Sequence, residues 1–167
     1  MIVKTYILQN LAQLDSAFRR AKTQKHAIYF SKLAILELCG WIEISMDDII
    51  MGHCGRHVSV PKNTKFVSDD IVKRTYGFDY ERNFRRMLIN LIGIVTCEKV
   101  EAQIPVGIHT RFVAQLHSLK LVRDSLAHTY LKGSVATMAI DAPSVTKARF
   151  TDIYDGLKAF EQSLRSL

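Results

Sequence analysis

The chain has 167 residues, of which 48% are hydrophobic and 23% are charged, and these values are typical of a globular protein and exclude a disordered or fibrous chain. Lys and Arg number 23 against 16 Asp and Glu, so the formal net charge is +7. A field of that sign attracts RNA, DNA or an acidic protein, but basic proteins without a nucleic-acid role carry the same excess.

The cysteines and the apolar segments indicate the cellular environment. Cys39, Cys54 and Cys97 are too few for a disulfide framework, so we expect reduced thiols. No apolar run approaches the roughly 18 residues of a membrane span, and the first residues lack the apolar core of a signal peptide. We therefore expect a cytoplasmic protein with no membrane partner.

The apolar residues recur at helical spacing along nearly the whole chain. They predict a first helix over about residues 2–22 and a long second helix over about 25–52. Apolar residues lie on much of the circumference of the second helix, which predicts a central position in the fold. Gly52 and Gly55 are expected to end that helix.

The rest of the chain is predicted to be helical after one irregular connection. This connection covers residues 53–79, with one short helix near 69–74, and a loop of that length is uncommon unless it is functional. Three further helices are predicted over about 79–102, 109–131 and 144–166. The expected fold is all-α: a single domain over residues 1–167, an up-and-down bundle of about five helices.

The fourth predicted helix ends in the sequence LVRDSLAHTYL, residues 121–131. At roughly 100° per residue, six polar side chains share one arc of its surface, with Leu116 among them. These six are His117, Lys120, Arg123, Asp124, His128 and Tyr130. The predicted apolar ladder of this helix is Phe112, Leu116, Leu119, Val122 and Leu126. Of these, Leu119, Val122 and Leu126 point away from the arc, so the polar arc is expected to face solvent.

Three side chains on this arc have the chemistry that RNA transesterification needs. His128 titrates near neutrality and can transfer protons, and Asp124 can orient its imidazole. Arg123 can donate two hydrogen bonds to a phosphate and stabilise the charge of the phosphorane. The scheme requires no metal ion and no cofactor, and a symmetric dimer would supply a second histidine. The alternative is an inactive, ion-paired helix surface.

The Arg-x4-His motif followed by x-Tyr, late in a helical chain, resembles the HEPN superfamily. Arg123, Asp124 and His128 occupy the hallmark positions of its prokaryotic ribonuclease-like group, which includes the RiboL-PSP and MAE-like branches. Segments 30–48 and 76–84 are similar to the same group, and the resemblance covers about residues 25–131.

This resemblance implies a homodimer in which both motifs meet in a cleft and cut RNA without a metal. Many such proteins are toxins or defence effectors, so an antitoxin or another defence-locus protein is an expected partner. In one toxin branch the Tyr at the position of Tyr130 is adenylylated, although the middle segments here are more similar to another branch. Lys120 and His117 would line the site. Other HEPN proteins only bind nucleotide, RNA or a partner protein, and this is our alternative.

Two further groups of residues carry alternatives that the sequence leaves open. A basic neighbourhood around the start of the third predicted helix could hold an RNA backbone, or it could be a solvated surface. Its members are Lys73, Arg74, Arg82, Arg85 and Arg86. Glu43 and Asp47 are one helical turn apart, and a solvated helix surface or an ion pair with a basic neighbour is favoured over a catalytic carboxylate pair.

The segment 53–57 contains His53, Cys54 and His57 within five residues. A structural zinc site usually has four ligands in two separated pairs. The sequence therefore predicts no metal site here, but a polar helix end followed by a glycine-rich turn.

Overall fold

A computed structural model of the chain describes residues 2–127 and 140–167. These residues contain seven α-helices and no β-strand, which confirms the all-α class and corrects the expected number of about five helices. The helices are α1 (Thr5–Arg19), α2 (Gln24–His57), α3 (Pro61–Phe66), α4 (Arg85–Ile92), α5 (Ile94–Gln103), α6 (Val106–Ala127) and α7 (Pro143–Arg165). Within the described ranges, no helix is long and apolar enough to cross a lipid bilayer.

The second helix is longer than the sequence predicts. Gly52 and Gly55 lie inside α2, which continues to His57 and ends where the Val58 N–H donates to the Cys54 carbonyl. A glycine inside a helix costs about 1 kcal/mol, which is small beside the burial of Ile49, Ile50 and Cys54. The expectation that these glycines end the helix is therefore wrong, because tertiary packing outweighs their local preference.

The region between α2 and α6 differs in part from the prediction. The expected irregular connection contains α3 and a π-helical segment, Val67–Val72, which overlaps the short helix expected near residues 69–74. The expected single helix over 79–102 is a second π-helical segment, Tyr80–Phe84, followed by α4 and α5. Gly93 separates these two helices because its φ is +78°, a conformation that glycine adopts without a steric penalty.

Four helices form the main bundle, and side-chain contacts give their directions. Trp41 packs on Phe150, with ring centroids 5.0 Å apart, so the middle of α2 lies beside the start of α7. Further along both helices, His53 Nδ1 lies 3.2 Å from the Leu164 carbonyl, so α2 and α7 run parallel. Helices α6 and α7 are antiparallel, because Arg111 of α6 pairs with Asp152 of α7 while Ser118, later in α6, contacts Arg149, earlier in α7. Helix α6 is therefore antiparallel to α2, and its last turns lie near the middle of α2.

An aromatic cluster joins the main bundle to the shorter helices. Its members, whose ring centroids lie 5.1–6.5 Å apart, are Tyr80, Phe84, Phe112 and Phe160. Helix α7 approaches this cluster closely at Gly156, where an added Cβ would lie 2.3 Å from a ring carbon of Phe112. The absence of a side chain at Gly156 therefore sets the distance between α6 and α7.

We expect Gly156→Ala to lower the free energy of unfolding by about 2 kcal/mol or more, because the new methyl group would force Phe112 or the helix backbone to move. Gly55→Ala is the matched control, since a Cβ there meets no atom within 4 Å and should raise stability by up to about 1 kcal/mol. Urea denaturation followed by circular dichroism measures both changes. Equal effects of the two substitutions would contradict the close approach.

Candidate active site on α2 and α6

Arg123 connects the last described turns of α6 to the middle of α2. Its Nη2 lies 3.5 Å from Oε1 of Glu43, and its Nη1 donates to Oδ1 of Asp124 at 3.3 Å. The side chain remains 37% exposed. Oε1 of Glu43 is buried and accepts no hydrogen bond of good geometry from the described residues, so the Arg123 charge compensates it. The guanidinium is thus anchored from two helices while part of it faces solvent.

Asp124 is the acceptor at the centre of this group. Lys120 Nζ donates to its Oδ2 at 2.6 Å, one helical turn away, and Arg123 donates to its other oxygen. The hydrogen bond from Lys120, followed by that from Arg123, lowers the pKa of the Asp124 carboxyl. Asp124 is therefore an anion near neutral pH, which suits it to accept hydrogen bonds and not to donate a proton.

Two titratable groups of α2 lie close to this network. Burial raises the pKa of the Cys39 thiol to about 12, although the Arg123 charge opposes this, so Cys39 is a neutral thiol and not a nucleophile. Burial, together with the charges of Glu43 and Asp48, raises the pKa of Asp47 to about 6. Glu43 forms an ion pair with Arg123, which is one of the two alternatives favoured over a catalytic carboxylate pair, whereas Asp47 has no ion-pair partner in the described part of the chain.

The structure brings together some of the residues predicted on the polar arc. Lys120, Arg123 and Asp124 form one hydrogen-bonded network, and His117 is exposed on α6 outside it. His128 and Tyr130 lie outside the described residues.

The apolar ladder predicted for α6 is largely confirmed. Phe112, Leu116, Leu119 and Leu126 are buried, although helical geometry also places Leu116 beside the polar arc. Helix α6 packs against both α2 and α7, so its buried surface is wider than one narrow stripe.

The structure divides the five predicted RNA-binding side chains into two kinds. Lys73 pairs with Asp69 at 2.7 Å, and Arg85 pairs with Glu101 at 2.7 Å. Arg74, Arg82 and Arg86 line one polar cleft of about 450 Å³, and Arg74 also pairs with Asp70 at 2.8 Å. Three of the five cations therefore share one cavity, and Lys73 and Arg85 do not line it.

Sequence reasoning missed a second polar cleft, of about 480 Å³. The Tyr80 hydroxyl donates to Glu101 at 2.5 Å, and His109 lies against the Tyr80 ring. Nε2 of His109 is buried and has no hydrogen-bond partner among the described residues. Burial alone would raise the pKa of Glu101, but hydrogen bonds from Arg85 and Tyr80 bring it below its usual value. These residues are distant in the sequence and follow no motif, so only the folded chain shows them as a group.

The segment 53–57 is a helical turn and not the predicted polar end with a glycine-rich turn. Cys54 is fully buried, and the rings of His53 and His57 stack with centroids 4.3 Å apart. Burial, and then the neighbouring His57, lowers the pKa of His53. No group of three or more potential metal ligands occurs in residues 2–127 and 140–167.

Comparison with known proteins gives no assignment. No family model matches the chain, and no curated protein or solved structure is significantly similar to it. The HEPN resemblance therefore remains a prediction from the sequence motif and the two similar segments.

We expect Asp47→Asn to stabilise the protein at pH 7 to 8, because the folded state raises the pKa of Asp47 from 3.8 to about 6. The carboxylate thus costs stability above pH 6, and the advantage of Asn should disappear as the pH falls below about 4. This change in the pKa of Asp47 corresponds to about 3 kcal/mol of unfolding free energy, which solvent screening at this half-buried position reduces to about 1 kcal/mol.

Urea denaturation at several pH values measures this difference. Asp155→Asn is the matched control, because Asp155 is exposed on α7 and its replacement should change stability little at any pH. An advantage of Asp47→Asn that does not depend on pH would contradict the assignment.

Proposed function

We propose that this protein is a metal-independent endoribonuclease of HEPN type, in which the 2′-hydroxyl of RNA attacks the adjacent phosphate. The observation that carries the proposal is the placement of Arg123, a half-exposed guanidinium held by Glu43 from α2 and by Asp124 from α6. In the sequence, His128 follows Asp124 by four residues. A fixed cation and a histidine of this spacing are the two groups that the reaction needs.

The reaction would proceed by proton transfer and phosphate stabilisation. One His128 accepts the proton of the 2′-hydroxyl, and the 2′-oxygen forms a bond to phosphorus. The bond from phosphorus to the 5′-oxygen breaks, and this oxygen receives a proton from a second, protonated histidine. The products are a 2′,3′-cyclic phosphate and a 5′-hydroxyl. Arg123 donates to the non-bridging oxygens, where negative charge accumulates in the transition state.

Glu43 and Asp124 would position the reacting groups. A guanidinium has five N–H donors, and the contacts to Glu43 and Asp124 leave some of them for a phosphate. Asp124, held as an anion by Lys120 and Arg123, would orient the imidazole of His128 or Arg123 of a second copy. The half-exposed network thus supplies a fixed cation and a hydrogen-bond acceptor on one surface.

The second proton-transfer group implies a homodimer. Each chain supplies one Arg123–His128 motif, and a two-fold axis would bring two of them to one phosphate. If the protein acts as a toxin or defence effector, an antitoxin or another defence-locus protein would control access to this surface.

The alternative is a non-catalytic module that binds nucleotide, RNA or a partner protein. The balance of charge favours it: two cations, Arg123 and Lys120, face two carboxylates, Glu43 and Asp124. Such a network is common on inactive helix surfaces. In that case RNA would bind to this protein without being cut.

Cleavage of labelled RNA in excess chelator tests the proposal. We expect His128→Ala to abolish cleavage, because it removes the histidine that transfers both protons in the proposed reaction, and Arg123→Gln to lower kcat by about 10²–10³-fold. Arg111→Gln is the matched control, because Arg111 is on the same helix, 58% exposed and ion-paired with Asp152. Circular dichroism verifies that each variant is folded.

Two outcomes would contradict the enzyme. One is the absence of cleavage of every RNA tested, with RNA binding retained, which favours the non-catalytic module. The other is cleavage that His128→Ala leaves unchanged, which would assign the activity to other residues or to a contaminant.

We expect the active protein to be a dimer in analytical ultracentrifugation. Its mass should be twice that of one chain, which is 19.0 kDa. Because each phosphate would need groups from both copies, the specific cleavage rate should fall when dilution dissociates the dimer. A monomer that cleaves RNA at a rate independent of concentration would contradict the shared site.

A further inference from the structure

We propose that the polar cleft lined by Arg74, Arg82 and Arg86 is a binding site for the backbone of single-stranded RNA, separate from the cleavage motif. The inference rests on the proposed function in taking RNA as the ligand. The cleft lies between the end of the first π-helical segment and α4, and none of its lining residues belongs to α2 or α6.

The charge of the cleft is strongly positive. Its lining contains three guanidiniums and one carboxylate, Asp70, which pairs with Arg74 at 2.8 Å. Arg82 and Arg86 have no ion-pair partner in the described part of the chain, and both side chains are exposed. They are four residues apart along the helical chain, so two guanidinium groups without an ion-pair partner line the same cleft. Phosphate oxygens are the acceptors that match such donors.

The loop that forms the rim of the cleft is held in one conformation. Asn83 Nδ2 donates to the Tyr76 carbonyl at 2.9 Å, and the Asp79 N–H donates to Asn83 Oδ1 at 2.9 Å. Gly77 has φ +103°, and Phe78 beside it is buried. A clamped backbone of this kind pre-organises the rim, which reduces the conformational entropy that a ligand must remove on binding.

Tyr76 favours single-stranded RNA over an isolated phosphate. Its side chain is 85% exposed at the rim of the cleft, whereas Tyr80 and Phe84 nearby are buried. An exposed aromatic ring beside cations can stack on an unpaired base while the arginines bind the adjacent phosphates. The cleft volume of about 450 Å³ is in the range of small-ligand pockets and suits one or two nucleotides.

Both π-helical segments of the described chain adjoin this cleft. Val67–Val72 precedes its first arginine, and Tyr80–Phe84 contains Arg82 and Asn83. A π-helical turn is rare, and it frequently occurs at functional sites. Here the second segment places the Asn83 clamp and the Arg82 side chain on the same turn.

Fluorescence anisotropy with a labelled oligouridylate tests the cleft, with the full chain carrying His128→Ala so that the RNA is not cut. We expect the double variant Arg82→Gln/Arg86→Gln to raise Kd at least tenfold. The slope of log K against log salt should become less negative by about 1.4, because two phosphate contacts are lost. Tyr76→Ala should raise Kd about tenfold and Tyr76→Phe should not, because stacking requires only the ring.

The matched control is Arg19→Gln/Arg111→Gln, which removes the same charge from two exposed, ion-paired arginines outside the cleft. An equal rise in Kd for both double variants would overturn the proposal, because it would show only a general effect of net charge. Equal affinity for duplex RNA, or no effect of Tyr76→Ala, would overturn the stacking role of Tyr76.

The experiments distinguish a failure of the proposed RNA-binding cleft from a failure of the proposed cleavage site. Binding that depends on Arg82 and Arg86 in a protein that cuts no RNA would support the cleft and contradict the endoribonuclease. Cleavage that depends on His128, with RNA binding unaffected by the arginine variants, would overturn the cleft alone.

Discussion

The close packing of α6 against α7 at Gly156 fixes the direction in which α6 runs beside the other long helices. Gly156 allows the Phe112 ring to lie directly against the α7 backbone, and the aromatic cluster around Phe160 extends from this contact. Since α7 runs parallel to α2, the same contact makes α6 antiparallel to α2. Arg123 therefore reaches Glu43 in the middle of a long helix.

The charges around Arg123 both hold its guanidinium in place and limit its ability to bind a phosphate. Glu43 and Asp124 hold Arg123 in place, yet they also neutralise part of the charge that a phosphate would use. Lys120 restores positive charge beside Asp124 and keeps this carboxyl ionised. The cost of this arrangement appears on α2, where burial and neighbouring carboxylates raise the pKa of Asp47. Ionised Asp47 beside Glu43 therefore lowers the stability of the folded chain, while the network holds several charges on a half-buried surface.

The positively charged features are distributed between two regions with different construction. The network on α2 and α6 is balanced in charge and uses ordinary α-helices. The cleft around Arg82 and Arg86 has excess positive charge and is bordered by π-helical segments and a loop clamped by Asn83. In the proposed function, the first region carries out chemistry and the second holds the substrate, so the net charge of +7 would act mainly through the cleft.

The sequence by itself determined the helical class, the approximate extent of α1, α6 and α7, and the burial of Leu119 and Leu126, because these follow from the local spacing of apolar residues. It also indicated Arg123 and Asp124 as neighbours. Only the tertiary structure decided that α2 continues through two glycines and that Glu43 reaches Arg123. It alone showed which three of the five predicted cations line one cleft. Such features depend on packing and ion pairs between residues that are distant in the chain, and the local spacing of apolar residues does not predict them.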